Sequence, residues 1–128
     1  MNAAERYFAA SHAGDVAAAA SELAPDVVML TPATDDPVVG QDAVAAALRA
    51  VEAACDEFRH THLLAGNSTG ETPLFGLVFE ARVGDAALRG VDLIELDASD
   101  RISSFTVAAR PMAALVALGA RMSRAERP

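Results

Sequence analysis

Tryptophan and lysine are absent from this chain, and cysteine and tyrosine occur once each. Each lack excludes something. A lone Cys55 forbids an intrachain disulfide, so packing alone must hold the fold. Without lysine, arginine carries all the strong positive charge: ten basic residues face eighteen carboxylates, for a formal charge of −8. An acidic chain repels phosphate backbones, and no basic stripe interleaved with aromatics offsets this, so nucleic acid is not an expected partner. Arg121, Arg124 and Arg127 are spread along the C-terminal segment and are read as solvating the end of a helix. Aromatics make up only 5%, which leaves alanine and branched aliphatics to pack the interior. No apolar run approaches the ~20 residues that a membrane span needs, and no membrane partner is expected. The N-terminus lacks the segments of a signal peptide, so Asn67-Ser68-Thr69 carries no weight as a glycosylation acceptor. The expected location is the cytoplasm.

What is present is globular. With 128 residues, 52% hydrophobic and 22% charged, the chain suits one domain over residues 1–128, without repeats or linkers. Ala4, Tyr7, Phe8 and Ser11 share the face of a first helix that Gly14 ends. Asp15 caps a second, carrying Val16, Ala19, Ala20 and Leu23 and closed by Pro25. Val27 to Leu30 is a short strand, and Thr31 to Val39, with two prolines and adjacent aspartates, reads as a loop. Gly40 opens a third helix with Val44, Leu48, Val51 and Cys55 inside and Ala46, Arg49, Ala50 and Glu52 outside. The period then changes to two. Phe58 to Ala65, Leu74 to Val83, Ala86 to Asp97 and Arg101 to Ala109 read as successive antiparallel strands, joined by turn-rich stretches such as Asn67 to Pro73. Pro111 fits the start of a last helix whose inner face is Met112, Leu115, Leu118, Gly119 and Met122. This order is α+β, not an alternating parallel α/β fold.

Three stretches sharpen that order into a resemblance. Glu5-Arg6-Tyr7-Phe8 with Ala13-Gly14-Asp15, Pro37-Val38-Val39-Gly40-Gln41-Asp42-Ala43, and Gly90 to Asp97 with Asp100-Arg101-Ile102 resemble signatures of the nuclear transport factor 2-like superfamily, in its SnoaL-like branch. The resemblance covers nearly the whole chain. It implies a cone: a curved, mostly antiparallel sheet with helices over its concave face and a pocket between them. It also implies a homodimer, in which the sheet's outer face pairs. The superfamily holds isomerases, epoxide hydrolases, polyketide cyclases, dehydratases and non-catalytic adaptors, so the fold alone selects no reaction.

Asp92 stands out without any family. Along its strand Leu88, Gly90, Asp92, Ile94 and Leu96 fall on one face, which puts a carboxylate among apolar neighbours. Desolvation there raises its pKa and suits it to acid–base work or to hydrogen-bonding an oxyanion; the alternative is a buried carboxylate satisfied by structural partners. Tyr7, one turn from Ser11, is a candidate donor or simply a core aromatic. By resemblance to ketosteroid isomerases, Tyr7 and Asp92 fall at the two oxyanion-hole positions. Those isomerases carry a general-base aspartate before a proline; here the pair is Thr31-Pro32, and threonine takes no proton at neutral pH. The Asp-Arg-Asp set of epoxide hydrolases is incomplete too, because Thr106, Val107 and Ala108 stand where a second aspartate is expected.

His60 and His62 form an H-x-H pair expected on one strand face. No third ligand stands at metal spacing, so pocket lining or a solvated strand face is the better reading; if the pair faces inward, His62 can serve as the base that Thr31 cannot be. Phe8, Met29, Thr31, His60, Phe75, Leu77, Phe79 and Val107 are the expected wall of a pocket for a mainly apolar small molecule, although Phe75, Leu77 and Phe79 fit a solid core equally well. No phosphate-cradling glycine loop or Ser-His-Asp signature is visible, and the chemistry expected needs no cofactor. Two classes remain: a cofactor-independent isomerase, cyclase or dehydratase, or a non-catalytic binding or interaction module.

Overall fold

The first turn of the chain is tied down twice. Asn2 and Glu5 form a reciprocal capping box at the start of helix α1 (Ala3–His12). Arg6 then reaches Glu22 and Asp100, each at 2.8 Å, while Asp100 also accepts from the Ala3 amide at 3.0 Å. In this computed structural model, which describes residues 1–66, 70 and 72–125, α1 is followed by α2 (Val16–Ala20), β1 (Leu23–Thr31), β2 (Thr34–Val39) and α3 (Gln41–Ala54). Four more strands follow, β3 (Glu57–Ala65), β4 (Leu74–Val83), β5 (Ala86–Leu96) and β6 (Ile102–Arg110), and then α4 (Met112–Ala125). The fold is α+β: one six-stranded sheet in the order β2-β1-β6-β5-β4-β3, antiparallel except where β1 meets β6. Among the described residues no helix is long and apolar enough to cross a membrane.

The period-two segments fall where the pattern puts them, β4 to the residue. Asp15 caps α2 through the Ala18 amide, and Gly40, at φ 100°, supplies the positive dihedral that turns β2 into α3. The early elements differ from the sequence reading. Leu23 belongs to β1, not to the second helix, because pairing with Ile102 of β6 captures it. The stretch read as a loop contains β2, an edge strand paired only to β1, where Pro37 costs little. Met112 and Gly119 are exposed; α4 buries Ala114 and Leu118, four residues apart, and packs Leu115 and Met122 beside them. Arg121 does not merely solvate a helix end but binds Asp56 at 2.8 Å. Arg127, the Asn67-Ser68-Thr69 triplet and so part of the turn from Asn67 to Pro73 lie outside the described residues.

Register builds the inner face of the sheet. His60, Phe79, Gly90 and Ala109 make one cross-strand row, and Leu63, Leu77, Asp92 and Val107 the next. A β-bulge at Thr61 sits between them, so β3 continues inward with Leu63 and turns His62 outward. Gly90 is required where it stands: a Cβ there would lie 2.3 Å from the Ala108 carbonyl and 2.6 Å from the Phe79 ring. Two apolar clusters line this face. One joins α1, α2, α3 and β1 to Leu77, Ile94 and Phe105; the other joins α4 to Phe79, Ala81, Val83 and Leu88.

Candidate functional site

Asp92 lies at the seam between those clusters, and it is not alone. Its carboxylate oxygen Oδ2 is 2.9 Å from His60 Nε2, and both residues are buried, at 4% and 5% exposure. On the other side of the ring, His60 Nδ1 is 2.8 Å from the Ser11 hydroxyl. Three elements meet here. β5 presents Asp92 by its alternation, β3 presents His60 two strands away across Phe79, and α1 presents Ser11 one turn after Tyr7. Tyr7, Phe58 and Phe79 surround the imidazole edge-to-face, with centroids 6.2, 5.3 and 6.4 Å away.

An ionised carboxylate only accepts, so with Asp92 charged the proton sits on His60 Nε2 and Nδ1 accepts from Ser11 O–H. The chain Ser11–His60–Asp92 is then a continuous hydrogen-bonded path. Burial pushes the Asp92 pKa up, and the hydrogen bond and charge of His60 pull against it. Burial likewise raises Tyr7, with the carboxylates of Asp92 and Glu52 adding to it. Among the described residues the Tyr7 hydroxyl makes no hydrogen bond and no fully buried side-chain polar atom lacks a partner, so this hydroxyl keeps some exposure, on a residue that lines a cavity beside Ser11.

That cavity is small, about 50 Å³, and lies between α1, α2 and α3. Tyr7, Ser11, Leu23, Leu48, Arg49 and Glu52 form its wall together with alanines of α2 and α3. Glu52 thus faces inward, not outward as its helix pattern suggested, and burial raises its pKa. The spacing Val44, Leu48, Glu52 was the available signal for this. A wider open groove of about 620 Å³ runs over the end of β3, β4 and β5, where Arg59, Glu80, Arg82 and Arg89 are solvated.

The structure brings together Asp92, His60 and Tyr7 of the expected set, and adds Ser11, which the sequence reading placed on the helix face without a role. His62 is not among them. The bulge leaves it exposed on the opposite face, 2.9 Å from the Thr61 hydroxyl. Met29, Leu77 and Phe79 are buried core, Phe8, Phe75 and Val107 pack against it, and none of the six touches the small cavity. The Thr31 hydroxyl is engaged in its own turn, accepting from the Ala33 amide at 3.4 Å. Among the described residues no group of three His, Cys, Asp or Glu side chains gathers as metal ligands would.

The profile of the SnoaL-like domain family matches residues 4–105, most of the chain. The chain belongs to the SnoaL-like family. A steroid delta-isomerase from Pseudomonas aeruginosa is similar to this SnoaL-like protein at 32% identity, with a TM-score of 0.82 over 96% of this chain and 90% of that one. An uncharacterised bacterial protein with a cystatin-like fold from Silicibacter pomeroyi is 30% identical, with a TM-score of 0.80 over 96% and 84% of the two chains. An NTF-2 like protein of unknown function from Burkholderia xenovorans shares the fold at 18% identity, with a TM-score of 0.63 over 84% and 79%. No curated protein sequence matches significantly. The family segment ends inside β6, so α4 lies beyond it.

Proposed function

We propose that this SnoaL-like protein binds a mainly apolar small molecule bearing a carbonyl group and moves protons on it without a cofactor, as an isomerase, cyclase or dehydratase does. The observation that carries the reading is the buried 2.9 Å contact between His60 and Asp92. Burial favours the protonated form of the Asp92 carboxyl, which makes it a stronger base than an exposed carboxylate and suits it to acid–base work. Tyr7 offers an unengaged hydroxyl to a carbonyl oxygen, and His60, acting through the Ser11 hydroxyl that lines the cavity, takes the part of base that Thr31 cannot fill. The similar Pseudomonas aeruginosa protein is described as an isomerase, which is the same class of chemistry.

Small ketones in D₂O, β,γ-unsaturated ones included, provide the test. The wild-type protein is expected to speed exchange of the hydrogens beside the carbonyl, as followed by NMR. Asp92→Asn is expected to lose that exchange while keeping ligand affinity. Binding without exchange in the wild type overturns the enzymatic reading in favour of the second one, a non-catalytic ligand-binding or dimeric interaction module. Two observations favour that alternative. Residue 31 is a threonine, and a cavity of about 50 Å³ admits only the tip of a ligand, against ~300–1,000 Å³ for a typical small-molecule site.

The protein is further proposed to be a cytoplasmic homodimer. Val28, Leu30, Val39, Leu64, Leu74 and Leu93 are all exposed, and strand register gathers them into two adjacent rows on the outer face of the sheet. These apolar residues, interspersed with Glu95, Ser104 and Thr106 and set one row away from the charged row Arg110, Arg89, Glu80 and Arg59, suit a second copy of the same surface.

A further inference from the structure

Neither His60 nor Asp92 lines the small cavity; of their hydrogen-bonded chain only Ser11 does. Whatever that buried pair does to a molecule in the cavity must therefore pass through the Ser11 hydroxyl. The arrangement meets the geometric conditions for an activated nucleophile. The hydroxyl stands 2.8 Å from a ring nitrogen, and the other nitrogen of that ring is fixed at 2.9 Å by a buried carboxylate. The imidazole is turned so that Nδ1 faces the hydroxyl and Nε2 the carboxylate, which leaves the chemistry unchanged because either nitrogen can accept the proton. A second, independent feature lies on the same wall. Tyr7, a residue only 5% exposed, lines the same cavity as Ser11, and its hydroxyl has no partner among the described residues. It is a donor held ready for an oxygen that gains negative charge.

We propose that Ser11 is a base-activated nucleophile and that this protein transfers small acyl groups from esters to water through an acyl-Ser11 intermediate. Ser11 Oγ bonds to the ester carbonyl carbon as its proton passes to His60 Nδ1. Asp92 steadies the resulting imidazolium, and the Tyr7 O–H donates to the tetrahedral oxyanion. The carbon–oxygen bond to the leaving alcohol then breaks, and that alcohol takes the proton from His60. Water next attacks acyl-Ser11, gives its proton to His60, and releases the carboxylic acid as the proton returns to Ser11. A cavity of about 50 Å³ restricts the acyl group to the size of acetyl. This activity is separate from the carbonyl isomerisation proposed above, because it uses Ser11 as the attacking atom.

The absence of lysine makes the test clean, since no lysine amine can be acetylated in the background. Full-length protein is mixed with p-nitrophenyl acetate, nitrophenolate release is followed, and intact mass and peptide mapping locate the acetyl group. The expected result is an early burst with one acetyl group on Ser11. Ser11→Ala, which also leaves the buried His60 Nδ1 without its hydroxyl partner, is expected to melt below the wild type but stay folded at the assay temperature, and to lose both burst and adduct. Tyr7→Phe is expected to keep the site of acetylation but to slow it by about 100-fold. Acetylation confined to the N-terminal amine, a surface histidine or Cys55 overturns the proposal, as does wild-type turnover by Ser11→Ala. Either failure leaves the deuterium-exchange experiment untouched, because the ketones used there have no acyl leaving group.

Discussion

At the scale of single residues, the question is why a polar pair occupies a seam that leucine and phenylalanine could fill. Truncating one partner leaves the other buried and unpaired, so Asp92→Ala is expected to cost about 3–5 kcal/mol in chemical denaturation. Replacing both at once, as His60→Phe with Asp92→Leu, is expected to restore or exceed wild-type stability, because neither desolvated group remains. A double variant much weaker than the wild type would make the pair a structural device. A stable, inert double variant would place its reason for existing in chemistry. Asp92 was legible from the sequence because alternation along β5 put it among Leu88, Ile94 and Leu96. Its partner was not, because His60 and His62 look equivalent by period and only the bulge at Thr61 separates them. Ser11 was visible on the face of Tyr7, but nothing local says that a histidine from a distant strand reaches it.

At the scale of elements, Arg121 gives α4 a polar connection to the rest of the fold besides its apolar face. Arg121 donates to Asp56 Oδ1 at 2.8 Å and to the Ala54 carbonyl at 3.2 Å, while Asp56 Oδ2 accepts from the Gly84 amide at 2.7 Å. The hydrogen bond from Arg121, then that from Gly84, holds the Asp56 carboxyl below its ordinary pKa. A lowered carboxylate pKa adds stability above its unfolded value and loses it as pH falls through the folded one. Asp56→Asn is therefore expected to melt below the wild type at neutral pH, and the two melting curves should converge in acid. A gap that persists in acid would assign the effect to something other than charge. Of the strands that follow α3, β4 and β5 were the most readable because inward and outward residues alternate along most of their length, whereas β2 was hidden by Asp35, Asp36 and Pro37, residues that only an edge position tolerates. The end of α2 was hidden for another reason. Leu23 has no local preference strong enough to resist pairing with Ile102, and long-range pairing is what sequence windows do not contain.

At the scale of the whole molecule, the outer sheet face sets the expected assembly. Leu93 sits in the middle strands of the apolar rows, between Thr106 and Gly76. Leu93→Arg is expected to convert a dimer into a monomer in analytical ultracentrifugation without altering the melting of the monomer fold. A wild-type chain that sediments as a monomer at high concentration would remove the dimer from the account. The inner face has a different tenant. α4 lies on Phe79, Ala81 and Leu88, and it falls beyond the stretch that matches the family. The protein thus covers one end of its own sheet with a piece of itself, while the small cavity lies away from that helix, walled by α1, α2 and α3. Ala114 and Leu118 can therefore vary without reshaping the room beside Ser11, which makes the seating of the last helix and the reactivity of the site independently adjustable traits of one scaffold.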